Sequence, residues 1–133
     1  MCLPINRNQK PQIATEPIIC YKCLTEDMLS PCYNQKYELG KMLTSEFSIE
    51  IANYYDKVEK GLHTFTNESE AKCIAKDFCW SNQISGYLGI HAPVVVKCEI
   101  PIGASYYKAE SMSIGVSYEY ASNQLIPLEI ISQ

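Results

Sequence analysis

No apolar run in this 133-residue chain is long enough to cross a membrane, and no motif of high chemical specificity is present. A spanning helix needs about 20 apolar residues in succession, which excludes that class. GxGxxG, Walker-type and GxSxG patterns are missing, so the standard nucleotide and hydrolase signatures are out. Met1 to Lys10 lacks the apolar centre of a secretory signal, which predicts a cytoplasmic chain. There is no internal repeat, low-complexity tract or linker, and the length predicts one domain. Basic charge is also short: 11 Lys and Arg face 15 Asp and Glu, for a net charge of −4. Non-specific nucleic-acid binding needs a basic footprint, so that partner is not expected. The acidity is too small and too dispersed for a nucleic-acid mimic.

What is there is an ordinary globular composition, 47% hydrophobic and 20% charged, long enough to bury a core without disulfides or metal. Ten tyrosines stand out. Tyrosine suits half-buried strands and contact surfaces, because its ring packs while its hydroxyl stays wet. Tyr54-Tyr55 and Tyr106-Tyr107 would put one ring on each side of a strand. Seven cysteines at irregular spacing predict reduced thiols. Cys20-Tyr21-Lys22-Cys23 is a CxxC, with Cys32 nearby. It lies inside the strand-like run Ile18 to Leu24, where residues three apart face opposite sides and cannot share an ion. No metal site is expected, and the thiols read as small buried hydrophobes.

Residues 1–17 carry Pro4, Pro11 and Pro17 and read as an extended N-terminal arm that packs over the sheet or reaches a neighbouring subunit. A single α+β domain over 18–133 follows, mainly antiparallel β with one principal helix at about 68–79. After the strand at Ile18–Leu24, Thr25 to Gln35 reads as a loop and Tyr37-Glu38-Leu39-Gly40 as a short strand ended by glycine. Phe47, Ile49 and Ile51 alternate with polar or small residues, favouring a strand, with helix the rival over 44–57. Asp56 to Gly61 reads as a polar turn. Gly61 to Thr66 is a short strand feeding a helix, with Asn67 as cap and Glu70 completing a capping box. Ala71, Ile74, Ala75 and Phe78 form its apolar face. Ser81 to Gly89 reads as loop or weak strand. Pro93 to Ile100 is the clearest strand, β-branched and bounded by prolines. Pro101-Ile102-Gly103 is a turn, Ala104 to Lys108 a strand, and 113–120 and 124–131 two more, joined by Ala121-Ser122-Asn123.

Strand ends that feed helix starts present polar groups, so His63, Thr64 and Thr66 are the candidate ligand-binding residues, with Tyr21 and Lys22 approaching from the first strand. Free N–H groups at the helix start and the Lys22 charge favour a small anionic ligand, opposed in part by Glu68 and Glu70. His63 would suit acid–base work, but no matched carboxylate or nucleophile is evident, and no catalytic residue or cofactor is expected. His91 reads as a loop residue.

The order Ile19-Cys20-Tyr21-Lys22, then Gly61 to Thr66 with its helix, then Val94 to Ala104, then Gln124-Leu125-Ile126-Pro127 resembles small uncharacterised proteins of gut bacteria and their phages. More remotely it is similar to a shrunken ADP-ribosyltransferase core. That family carries Tyr-Arg on its first strand, Ser-Thr-Ser before a helix, an I-P-x-G turn, and a catalytic glutamate in the segment ending the core. Here Lys22 replaces the arginine, Thr64-Phe65-Thr66 stands for Ser-Thr-Ser, and Ser122-Asn123-Gln124 offers amides where the glutamate belongs. An amide cannot carry the charge that stabilises an oxocarbenium-like transition state. The resemblance therefore implies a non-catalytic relative that kept a pocket. The leading expectation is a non-enzymatic phage or mobile-element accessory protein, an anti-defence factor binding a small ligand or host protein. The alternatives are a divergent NAD-using transferase with Glu119 or Glu129 as its carboxylate, and a virion or assembly component joined through the N-terminal arm.

Overall fold

The computed structural model describes residues 3–25, 27–30, 35–51, 54–72, 94–110 and 118–132. These form eleven strands: β1 (Leu3–Ile5), β2 (Gln12–Ile13), β3 (Ile18–Leu24), β4 (Leu43–Thr44), β5 (Ser48–Ile51), β6 (Asp56–Lys60), β7 (Leu62–Phe65), β8 (Val94–Ile100), β9 (Ser105–Glu110), β10 (Tyr118–Ser122) and β11 (Gln124–Ser132). Every named pairing is antiparallel, and residues 68–72 are helical. The architecture is mainly β rather than a balanced α+β fold. The expected helix begins where its cap predicts: the Asn67 side-chain oxygen accepts the Glu70 N–H at 2.9 Å, and Glu68 pairs with Lys72 at 2.8 Å. Residues 73–79 lie outside the described residues, as does the segment 81–89. Among the described residues no helix is long and apolar enough to cross a membrane.

Eight strands form one sheet in the order β2-β9-β10-β7-β3-β8-β11-β4, and β1-β6-β5 form a smaller one. A single residue, Asn123, separates β10 from β11, although three strands lie between them in the sheet. In a flat sheet that distance would be about 19 Å, yet two peptide links reach no more than about 7.6 Å. The sheet is therefore rolled until β10 and β11 meet. Asn123 fastens the seam: its N–H donates to Ser105 O at 3.0 Å, its side-chain oxygen accepts the Ser105 N–H at 2.9 Å, and its carbonyl accepts the Ser45 N–H at 2.9 Å. The tail of the chain thus forms two strands that do not pair with each other.

Alternation along each strand sorts side chains to the inside or outside of the roll. Cys20 and Leu24, Leu62, Val94, Val96, Cys98 and Ile100, Tyr120 and Leu125 all enter one inner cluster, with Tyr37 beneath them. Outside, Tyr21, Cys23, Phe65 and Val95 pack on Ala71 of the helical turn. The small sheet covers another outer patch, placing Leu3, Ile5 and Val58 against Tyr107 and Ala121. The N-terminal arm is thereby drawn into the fold, since β1 pairs with β6 of the same chain.

Three expectations fail locally. Ala121 and Ser122 belong to β10, which leaves Asn123 alone as the connection to β11. Asp56 to Lys60 is strand β6 rather than a turn, because Asp56 and Val58 alternate inward while Glu59 and Lys60 face solvent. Asp56 hides that period in the sequence; its carboxylate accepts the Asn8 N–H at 3.0 Å. Tyr37 to Gly40 forms no strand, and Tyr37 is instead a buried plug of the inner cluster. Gly61 links β6 to β7 in one step across the layers. A Cβ there would stand 3.2 Å from the Phe47 ring, so a larger residue must displace that ring.

Candidate functional site

Strands β3 and β7 are neighbours, with Tyr21 opposite Phe65, so the fold does bring the five expected residues close together. It divides them by face. Tyr21 belongs to the outer cluster with Phe65, and alternation places His63 on that side also. Lys22 and Thr64 lie on the inner face beside Cys20 and Leu24. Thr66 follows β7, half-buried, just before the cap. Tyr21 and Lys22 therefore cannot point at one ligand from adjacent positions. The strand alternation that separated Cys20 from Cys23 in the sequence separates this pair too.

His63 is enclosed rather than poised. It is 5% exposed, and neither ring nitrogen meets a partner at full hydrogen-bond geometry. Burial, with the Lys22 charge adding to it, holds its pKa down from 6.5 to about 3. The approach of the Glu59 carbonyl favours the protonated ring but does not offset burial. The inner thiols are equally inert. Burial pushes Cys20 up to about 12, despite the opposing influence of the Thr64 hydroxyl and Lys22, and pushes Cys98 higher still. Cys23 rises to about 11 on the outer side for the same reason. Thiols held protonated are poor nucleophiles and metal ligands. Glu119, on β10, is 1% exposed on the outer face opposite Phe65, while Glu129 on β11 is exposed opposite Lys97.

The accessible chemistry lies elsewhere. A groove of about 540 Å³ lies beside the end of β9, lined by Pro4, Ile5, Asn6, Gln9 and Tyr55 from the small sheet and its turns and by Lys108, Glu110 and Tyr118 from β9 and β10. The Lys108 ammonium sits 5.5 Å from the Tyr118 ring centre and 5.7 Å from that of Tyr120, a cation–π arrangement that holds the charge at the rim. Lys57 stands 5.8 Å from the Tyr55 ring in the same manner. Amide, ammonium, carboxylate and phenol groups thus converge on one open trough of ligand-pocket size. A second groove of similar volume lies at the seam, lined by Gln35, Glu46, Lys60, Asn123 and Gln124. Among the described residues no three His, Cys, Asp or Glu side chains gather as a metal cluster. Sequence reasoning missed the β9 groove, because its walls come from residues more than 100 positions apart. The only local signal was the abundance of tyrosine.

The fold and groove define a mainly β, rolled-sheet protein with an open-edged trough. No protein-family model, curated protein or solved structure matches the chain.

Proposed function

We propose that the chain is a non-enzymatic binding protein of phage or mobile-element type, an anti-defence factor that acts in the host cytoplasm by engaging a host protein or a small anionic ligand. The observation that carries this reading is the division of chemistry between interior and groove. Among the described residues, the titratable groups suited to catalysis, His63 and the thiols of Cys20, Cys23 and Cys98, are enclosed and held in their neutral forms. The solvent-facing trough instead offers Tyr118, Lys108, Glu110 and the amides of Asn6 and Gln9, which recognise a partner without making or breaking bonds. Burial of Glu119 counts against its serving a divergent transferase, and the pairing of β1 with β6 occupies the arm that an assembly role would extend outward.

The test is phage plating on bacteria that carry a defence system, with and without expression of the chain. The reading expects restored plating with the wild-type chain and loss of that effect in the Tyr118→Ala, Lys108→Ala double variant at normal expression. Transfer of ADP-ribose from NAD by the purified chain, or unchanged plating with the wild type, would sink it.

A further inference from the structure

Among the described residues, strand β9 is paired along one side throughout but along the other only at its start. Strand β10 accompanies it from Tyr106 to Glu110, whereas β2 reaches only Ser105 and Tyr106. Successive backbone groups in a strand point to alternate sides. The Ala104 carbonyl accepts the Ala14 N–H at 2.9 Å and so faces the β2 side. Ser105 faces the other way, bonded through both its N–H and its carbonyl to Asn123. Carried along the strand, this alternation turns the N–H and C=O of Lys108 and Glu110 outward, past the end of β2. Tyr107 and Ala109 turn theirs toward β10. Among the described residues, no strand pairs with that outer edge beyond Tyr106. The trough of about 540 Å³ lies along this stretch.

We propose that this edge binds an extended peptide segment of a partner protein by strand addition, with a carboxylate side chain placed opposite Lys108. The inference rests on the reading of the chain as a binding protein and names its site and partner class. Two donors and two acceptors at strand spacing match a peptide backbone, and a peptide brings the complementary set in the same order. A residue directly opposite Lys108 shares its face at about 5 Å, so the Lys108 ammonium, which leans over the β10 rings of Tyr118 and Tyr120 in the free chain, would swing across β9 to meet an acidic side chain there. The position opposite Glu110 takes a basic or polar one. The trough at this edge is lined by Pro4, Ile5, Asn6 and Gln9 as well as by Lys108, Glu110 and Tyr118, so side chains of both sheets border the added strand. A second copy that offered the same β9 edge would have to bring its own β2 and N-terminal turn alongside.

The experiment selects from a displayed library of random eight-residue peptides on the immobilised chain and measures the best binder by calorimetry. Lys108→Ala keeps the backbone donor and removes the charge, so binding should weaken no more than about fivefold. Lys108→Pro also removes the outward N–H but leaves the β10 ladder intact, and binding should fall by at least about tenfold more, with the melting temperature as a check on folding. Hydrogen exchange on the wild type needs no variant. The Lys108 and Glu110 amides should exchange fast in the free chain while those of Tyr107 and Ala109 are slow, and peptide should protect the first two. Equal losses in the Ala and Pro variants, or peptides that bind without protecting Lys108 and Glu110, would overturn the proposal. So would a concentration-dependent dimer that protects the same two amides, which would assign the edge to a second copy. Restored plating by a chain that selects no edge-binding peptide would remove strand addition and leave the binding reading standing; unchanged plating would remove the reading itself.

Discussion

The two sheets are both antiparallel, yet they bury their residues very differently. In the rolled sheet, β3 and β8 have neighbours on both sides, and Cys20, Leu24, Val96, Cys98 and Ile100 are fully enclosed. In the small sheet, β1 and β6 bury Leu3, Ile5 and Val58 against the roll, while all four residues of β5 are exposed. Ile51 is 77% exposed and Ile100 is 0% exposed, although both are isoleucines in strands. Strand propensity is the same for the two. Closure of the sheet around them is what differs, and burial against a second surface is what stabilises.

The sharpest way to break this contrast is to empty one position of the roll. Ile100→Ala should cost about 2–5 kcal/mol in urea unfolding, by lost burial plus a residual cavity. A cost under 1 kcal/mol would mean that the roll is loosely packed and the contrast is false.

The contact between the sheets is probed by pH, because His63 faces the layer that β6 supplies. The unfolded ring titrates near 6.5 and the folded one near 3. Between those values the unfolded state binds the extra proton, so stability is fully retained above pH 6.5 and falls as the pH drops toward 3. The slope contributed by this one ring should approach about 1.4 kcal/mol per pH unit. His63→Leu should flatten it. An unchanged slope in that variant would place the titration elsewhere.

The seam should respond more mildly. Asn123→Ala keeps the two backbone bonds of residue 123 but loses the side-chain acceptor for the Ser105 N–H, at about 1–2 kcal/mol. Smallest of all, Ile51→Thr on the exposed edge should shift stability by no more than about 0.5 kcal/mol. A larger loss would show that β5 is covered in solution.

Much of the strand inventory was legible because its signals are local. Ile18–Leu24 and Val94–Ile100 are apolar, β-branched-rich runs; the sequence reading matches both ends of the first and the C-terminal end of the second, whose expected start at Pro93 lies outside the described residues. Asn67 announced the helix start, and Pro101 to Gly103 announced a turn, which Gly103 completes at φ 89°. Strand β6 escaped because its inward positions are Asp56 and Val58, and a buried carboxylate, held through one oxygen by the Asn8 N–H, carries no apolar signal. The alternation that split Tyr21 from Lys22 was also available, since it needs only the strand assignment.

Local chemistry along the chain thus set where strands begin and end, which residues share a face, and where the helix is capped. Those features depend on neighbours two to four positions away. The order of strands in the roll did not follow from it, nor did the meeting of β10 and β11 at Asn123 or the trough between Pro4 and Tyr118. Each of these requires backbone pairing and apolar contact between segments far apart in the chain. Such pairings are chosen by closure of the whole sheet around one core, and no single segment encodes that closure.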